Sequence, residues 1–318
     1  MAKNLDLKSL NVWFITDDKP GHLNQLKGLE SRLSVHAKIQ SKWLSVADNN
    51  LSWLSVFLKR LPQDCLTEHA PDIVVGAGHR THKLILALKR RFHCFSVLLM
   101  KPSVPVSWFD ALIIPEHDSP PNCAHILPTV GVLNNVVPIL DAKQKPANKG
   151  LILIGGESKH YQWDENNILD QVEDIVSKSP NISFWVLGNS RRTPISFINK
   201  LKERSLNNVL IVEHQNTDRT WLPQQMSDSG KIWVTPDSVS MVYESITSGT
   251  ETNIFKMDCD KQTRVVKGIE RLLLKSLVVE WPNLNGSLKD SVLWEAERAA
   301  IWLIDRYRPT SQDVKTRA

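Results

Sequence analysis

Residues 11–22 read NVWFITDDKPGH, an apolar run that passes into a polar turn with Pro20 and Gly21. The run is rich in β-branched and aromatic residues, which is typical of a buried strand. Residues 22–33 then carry apolar side chains at helical spacing. A strand followed by a turn and a helix is the repeating unit of parallel sheets, so this segment predicts an α/β fold.

The same alternation continues through both halves of the chain. Further strands are predicted at residues 72–75, 95–100, 110–115, 151–154, 182–187, 209–212, 231–235 and 253–255. Further helices are predicted at residues 79–91, 166–177, 194–203, 238–248 and 261–275. Because parallel strands need a crossover connection, the pattern indicates two parallel sheets with helices on both faces.

The length of 318 residues is sufficient for two domains. A polar stretch at 141–150, DAKQKPANKG, interrupts the alternation and is the predicted linker. The predicted domains are residues 1–140 and 141–285, two Rossmann-like units that face a cleft. Residues 286–318 are the predicted C-terminal segment, whose helix at residues 288–308 packs back on the first domain.

The composition excludes several classes of protein. The 39 basic and 34 acidic residues give a formal net charge of +5, too small to indicate a nucleic-acid partner. The four cysteines, at positions 65, 94, 123 and 259, lack metal-ligand or disulfide spacing, so reduced thiols and no metal site are expected. The first residues lack the apolar core of an export signal, and no apolar run is long enough to span a membrane. We therefore expect a cytoplasmic protein that is soluble or peripheral to the inner face of the membrane.

Three turns of the second half each follow a predicted strand and carry glycine, arginine or hydroxyl side chains. Glycine admits close backbone approach, paired arginines bind phosphate oxygens in a fork, and an open helix N-terminus attracts negative charge. The residues of these turns that would hold a nucleoside diphosphate are Gly155, Gly156, Ser190, Arg191, Arg192, Ser238 and Glu244. Asp237 opposes anion binding at the last turn unless it caps the helix. Two solvated surface arginines are the competing interpretation of positions 191 and 192.

The first half offers general bases at the ends of two predicted strands. Asp17 and His22 belong to the turn after the first strand, and His117 follows the strand at residues 110–115. Each could take a proton from an acceptor hydroxyl, and the sequence does not choose among them. The Gly-Ala-Gly turn at residues 76–78 lacks the third glycine and the acidic partner of a dinucleotide site, so no nicotinamide cofactor is expected.

Residues 51–61, LSWLSVFLKRL, combine apolar and aromatic side chains with Lys59 and Arg60. This pattern fits an interfacial helix on anionic lipid, and it equally fits an ordinary half-buried helix. A peripheral membrane surface therefore stays among the candidate partners.

Six segments, taken in order, resemble the mitochondrial-fission ELM family: TDDKPGHLNQ (16–25), PDIVVGAGHRT (71–81), PEHD (115–118), IGGESKHYQW (154–163), SRRTP (190–194) and VTPDSVSMVYE (234–244). Plant members of that family are linked to mitochondrial division. Many bacterial members look like two-domain GT-B glycosyltransferases, and some carry an epimerase label. This chain departs at Asp18, where relatives usually have a glycine (TDGKPGH), and at residues 100–103, MKPS, where many have Gln-Asp-Pro-Arg.

The resemblance implies a GT-B-like fold with a nucleotide-sugar donor held by the second domain, at the turn residues named above. The acceptor side and the base would come from the first domain. The leading hypothesis is an inverting, metal-independent glycosyltransferase that needs no cofactor and acts on a cell-envelope glycan or lipid-linked acceptor. The alternatives are a non-catalytic, membrane-associated scaffold and a nucleoside-diphosphate-sugar epimerase.

Overall fold

The computed structural model describes residues 9–49, 51–66, 69–140, 146–218, 220–284 and 292–307. The chain forms two compact units, one made of Met1–Asn135 with Glu295–Ala318 and the other of Val136–Trp294. The units divide after residues 135 and 294, whereas the sequence placed the boundaries after 140 and 285. Residues 141–145 of the predicted linker, and 286–291 and 308–318 of the predicted C-terminal segment, lie outside the described residues.

The first unit is a parallel sheet with its connecting helices. Its elements are β1 (Leu10–Thr16), α1 (Pro20–His36), β2 (Ile39–Ser45), α2 (Trp53–Phe57), β3 (Ile73–Ala77), α3 (His82–Phe92), β4 (Phe95–Leu99), β5 (Ala111–Pro115) and β6 (Ile126–Thr129). The strands are ordered β2-β1-β3-β4-β5-β6, and all neighbours are parallel. The strand order reverses between β1 and β3, and such a switch point is where ligands enter parallel α/β sheets.

The two edge strands of this sheet escaped prediction from the sequence. β2 reads IQSKWLS and pairs only with β1, so several of its side chains are exposed and polar. β6 reads ILPT, and its proline is compatible with an edge position. The inner strands β3 and β5 are buried along their whole length, which is why their sequences are the continuous apolar runs that predicted them.

The second unit repeats the plan. Its elements are β7 (Lys149–Ile154), α4 (Glu165–Ser177), β8 (Phe184–Asn189), α5 (Ile195–Glu203), β9 (Val209–Val212), α6 (Trp221–Ser227), β10 (Lys231–Val234), α7 (Val239–Thr247), β11 (Glu251–Ile254), α8 (Arg264–Leu274) and β12 (Val279–Glu280). The parallel sheet is ordered β12-β11-β10-β7-β8-β9, with its switch point between β7 and β10. The two parallel sheets confirm the predicted α/β class; α6 and the two-residue β12 were too short to predict.

The last helix, α9 (Glu295–Arg306), packs against α1 of the first unit, which confirms the predicted return of the chain. Ala299, Ala300 and Leu303 join the buried core that α1 forms with the sheet. At the edge of this contact, Glu297 accepts hydrogen bonds from Arg32 (2.6 Å) and His36 (2.7 Å). The helix is shorter than predicted, and residues 288–291 and 308 of the predicted span are outside the described residues.

Candidate functional site

The candidate residues of the second unit gather at its switch point, where β7 lies between β10 and β8. Gly155 follows β7 directly, and its amide donates to the Thr235 hydroxyl at 2.7 Å. The next amide, of Gly156, donates to Asp237 Oδ2 at 3.0 Å. A Cβ at residue 155 would lie 2.2 Å from that carboxylate, so only glycine allows the turns to approach so closely.

The turn after β8 joins the same network. The Ser190 hydroxyl donates to the carbonyl of Gly155 at 2.5 Å, and the Thr193 hydroxyl donates to the same oxygen. The Arg192 guanidinium donates to the carbonyls of Gly156 (3.1 Å) and Glu157 (2.9 Å). These bonds bring together the three turns that the sequence analysis singled out.

Asp237 stands at the centre of this network. Its fully buried carboxylate pairs with Arg192 at 2.8 Å, and Oδ1 has no hydrogen-bond partner within the described structure. Burial raises the pKa of Asp237 above its ordinary value, although hydrogen bonds from Thr235, Arg192 and Gly156 act in the opposite direction. The sequence interpretation left the Gly156 amide and Arg192 open for a diphosphate; in the structure Asp237 already occupies both.

Other donors at this edge have no such partner. Ser238 is the N-cap residue of α7, and its side chain makes no capping bond. The amides of Val239 and Ser240 have no acceptor among the residues that the structure describes, so the positive end of α7 is open. Arg191 is exposed and forms no ion pair with any carboxylate that the structure describes. Glu244 is half-buried further along α7.

In the first unit, Asp17 and His22 form a tight pair at the end of β1. His22 Nδ1 lies 2.7 Å from Asp17 Oδ1, and the Asp17 carboxylate is fully buried. Burial raises the pKa of Asp17, but the hydrogen bond from His22 and the nearby charges of His22 and Lys19 outweigh it, so the pKa lies below its ordinary value. Because Asp17 accepts the Nδ1 proton, a neutral His22 ring carries its lone pair on Nε2.

The glycine turn after β3, on the other side of the switch point, packs against the His22 ring of this pair. Gly78 has a left-handed φ of 82°, and a Cβ there would lie 2.4 Å from His22 Cε1. The Gly-Ala-Gly turn therefore makes room for the imidazole ring. Thr81, which follows this turn, is fully buried and donates to the carbonyl of Gly78 at 2.8 Å.

His117, the third candidate base, lies apart from this pair. It is half-buried in the short 3-10 turn Glu116–Asp118 that follows β5. Three strand spacings separate β1 from β5 in the sheet, which at ~4.8 Å each amounts to ~14 Å. Asp17 and His22 are therefore close enough to act on the same substrate group, whereas His117 is too far along the carboxyl edge of the sheet to act with them.

Both departures from the family pattern fall on left-handed backbone. Asp18 has φ 60°, where glycine carries no steric cost, and its amide and carboxylate bond Thr16 and Ser45. Met100 has φ 75°, and its sulfur accepts from the buried Gln25. An aspartate tolerates this left-handed conformation better than most residues.

A pocket of about 520 Å³ opens at the same edge of the first unit, and sequence reasoning had not found it. Asp17 lines it together with residues that come from the ends of β2, β3 and β4. The wall contains His79, Arg80, His82 and Lys83. The sequence GHRTHK at residues 78–83 contains all four of these basic residues. The sequence alone did not show that their side chains line the same pocket.

Two six-stranded parallel sheets, each with a switch point in its strand order, define an α/β protein of GT-B-like fold. The chain belongs to the mitochondrial fission ELM1 family, whose sequence model matches residues 20–307. An uncharacterized protein of Rickettsia prowazekii, RP120, is 26% identical, and the match covers 77% of this chain and 83% of that protein.

Solved structures resemble the chain in fold at low sequence identity. UDP-GlcNAc 2-epimerase from Neisseria meningitidis, bound to UDP-GlcNAc, has a TM-score of 0.52 at 13% identity, covering 93% of this chain and all of that one. MurG from Acinetobacter baumannii has a TM-score of 0.50 at 11% identity, with coverages of 97% and 94%. Within the described part of the chain, no helix combines the length and apolar character needed to cross a bilayer.

Proposed function

We propose that the protein is a glycosyltransferase that moves a sugar from a nucleoside diphosphate donor to a hydroxyl acceptor, with inversion at the anomeric carbon. The Asp17–His22 pair beside a pocket in the first unit carries this proposal. An enzyme that only epimerises its donor needs no second substrate pocket, so the pair and pocket favour transfer. The UDP-GlcNAc bound by the Neisseria epimerase of similar fold supports a nucleotide sugar as donor.

In the proposed reaction, His22 is the base. The acceptor hydroxyl gives its proton to His22 Nε2 as its oxygen bonds the anomeric carbon, and the bond from that carbon to the diphosphate breaks. Asp17 holds the ring in the correct tautomer and stabilises the imidazolium that forms. With its lowered pKa, Asp17 is itself a poor proton acceptor, which makes it the orienting partner.

In the second unit, the diphosphate would lie at the open N-terminus of α7, beside Ser238 and Arg191. Positive charge fixed there stabilises the departing diphosphate as its negative charge grows, which is the work a divalent cation does elsewhere. Gly155, Gly156, Ser190 and Arg192 would shape this site through the Asp237 network. Glu244, inside α7, would accept from a sugar or ribose hydroxyl.

The test combines calorimetry with an assay of nucleoside diphosphate release. Uridine, guanosine and cytidine diphosphate sugars are titrated with and without magnesium, and products are identified by NMR as transferred, hydrolysed or epimerised sugar. We expect one donor to bind, and Arg191→Ala to weaken its binding about tenfold. The matched control is Arg204→Ala, which removes a surface arginine paired with Glu173 in the same unit. If no nucleotide sugar binds, the proposal fails.

A second pair of variants tests the base. His22→Gln should lower release about 100-fold or more while leaving donor affinity unchanged. His36→Gln is the control, because His36 lies on the same helix, also contacts a carboxylate at 2.7 Å, and is remote from the edge of the sheet. An equal loss in both variants, or a free 2-epimer as the main product, would reject the transferase.

Membrane association is a second proposal that rests on a different observation. The predicted helix at residues 51–61 is in fact only five residues long, α2, and it ends before Lys59, which has φ 55°. Leu54 and Phe57 are 66% and 62% exposed, and the Arg90 guanidinium lies 5.6 Å from the Phe57 ring centre. Exposed apolar side chains beside a cation suit an anionic bilayer. Flotation with phosphatidylglycerol vesicles should be lost in Leu54→Ser/Phe57→Ser and kept in Leu274→Ser, an exposed leucine of the second unit.

A further inference from the structure

The pocket of the first unit is a site in its own right. Its volume of about 520 Å³ lies within the range of small-ligand sites, and every lining residue belongs to this unit. It stands at the β1/β3 switch point, with Asp17 at the end of β1 and His79 and Arg80 at the end of β3. Its position alone marks it as a place where a ligand would bind.

The charges around the pocket favour an anion. Arg80 and Lys83 come from one turn at the start of α3, and neither forms an ion pair with any described carboxylate. Other arginines of the chain, such as Arg32 and Arg298, do have carboxylate partners. Among the lining residues only Asp17 carries a negative charge, so cations exceed anions in the wall.

Two buried polar atoms of the lining residues lack hydrogen-bond partners within the described structure, and each would bind a different kind of group. Asp17 Oδ2 lies 3.7 Å from the Lys19 ammonium, too far for a hydrogen bond, so this carboxylate oxygen can still accept from a donor such as a hydroxyl. His82 is 2% exposed, its Nδ1 lies 3.4 Å from the Ser103 hydroxyl, and its Nε2 has no partner within the described structure. With Ser103 donating to Nδ1, the proton is on Nε2, which needs an acceptor such as a phosphate oxygen.

We propose that this pocket binds a phosphorylated polyol or sugar, with its phosphate at Arg80, Lys83 and His82 and a free hydroxyl at Asp17. Trp53 also lines the pocket, and the Lys83 ammonium lies 5.9 Å from its ring centre. The inference builds on the proposed function, since this ligand would be the acceptor: one of its hydroxyls donates to Asp17, and a second hydroxyl is the group whose proton His22 takes. The phosphate group could come from a soluble metabolite or from a lipid headgroup, and the experiment separates these sources.

The full-length protein is titrated with glycerol phosphate, with glycerol and with inorganic phosphate. We expect glycerol phosphate to bind better than either fragment, and Arg80→Gln/Lys83→Gln to weaken it at least about tenfold. Arg91→Gln is the control, because Arg91 is exposed at the other end of α3. Asp17→Asn should reduce the advantage of glycerol phosphate over inorganic phosphate.

The wild type and the double variant are also compared for binding to phosphatidylglycerol vesicles. If the wild type binds these vesicles but not glycerol phosphate, and the double variant binds them more weakly, the phosphate group comes from a lipid.

Equal binding by the wild type and the double variant, or no binding to either probe, overturns the proposal. Donor binding is measured on the same samples. If glycerol phosphate binds but no nucleotide sugar does, the glycosyltransferase is rejected and the pocket assignment stands. If a nucleotide sugar binds but glycerol phosphate does not, only the pocket assignment is rejected.

Discussion

Arg192 Nη2 lies 2.8 Å from Asp237 Oδ2, and this ion pair joins the turn after β8 to the turn after β10. The arginine side chain is part-exposed, whereas the carboxylate is fully buried. An arginine at the end of a strand looks like a phosphate ligand in a sequence, yet here its charge is matched from within the protein. Its contribution to anion binding is therefore set by Asp237.

Asp237→Asn should strengthen binding of a nucleoside diphosphate about tenfold, because the amide keeps the shape of the turn but no longer cancels the charge of Arg192. Calorimetry at low ionic strength measures the change, with Asp170→Asn, an exposed carboxylate of the same unit, as the control. Unchanged or weaker binding would show that the diphosphate does not lie near this pair.

Gly28→Ala should destabilise the first unit by about 3 kcal/mol, because a Cβ there would lie 2.1 Å from the backbone oxygen of Asn134. Neither backbone can move away without disturbing the packing of α1. Gly21→Ala in the same helix has open space around its Cβ and should change stability by less than about 0.5 kcal/mol. Urea unfolding, with hydrogen exchange of α1 to assign the transition, compares the two variants; equal midpoints would contradict the prediction.

His82 should make the first unit lose stability as the pH falls. Burial, with the charge of His79, lowers the pKa of His82 to about 4 from its ordinary value of 6.5. Between these values the unfolded chain binds a proton that the folded chain does not, so acid favours unfolding by up to about 3 kcal/mol. Urea unfolding from pH 7 to pH 4 should show a shallower decline for His82→Gln; parallel curves would disprove the assignment.

Glu297→Gln should loosen α9 from α1 at neutral pH. Burial raises the pKa of Glu297, but the bonds from Arg32 and His36 outweigh it, so the pKa lies below 4.5. The stabilisation is complete above pH 4.5 and is lost as the pH falls through the lowered value. We expect a loss of about 1–2 kcal/mol at pH 7 that is smaller at pH 3, measured by hydrogen exchange in α9.

Glu173→Gln is the control for this pair. Glu173 contacts Arg204 at 2.9 Å, but both side chains are more than a third exposed, so solvent screens their attraction. Its replacement should change stability by less than about 0.5 kcal/mol at either pH. A similar effect of the two substitutions would mean that partial burial adds nothing to the Glu297 contacts.

The sequence by itself determined the parts of the fold whose residues are buried on both sides. Strands such as β3 and β8 carry continuous apolar runs because each is covered by helices. The turns after them are marked by Gly78 and by the polar run at residues 190–193. Edge strands gave a weaker signal, since only one of the seven residues of β2 is buried. Local pattern therefore recovered the α/β class, both sheets and the turns that meet at their switch points.

Only the tertiary structure decided which groups in those turns remain available. Asp237 lies 45 residues along the chain from Arg192, and no local pattern shows that its carboxylate takes the guanidinium and the Gly156 amide. Likewise, Asp17, His22 and His117 were equivalent candidates in the sequence. The first two meet within the local turn after β1, and the strand order places His117 three strands away. The physical reason is that hydrogen bonds and burial between remote segments depend on the order of strands in the sheet, which residue spacing along the chain does not encode.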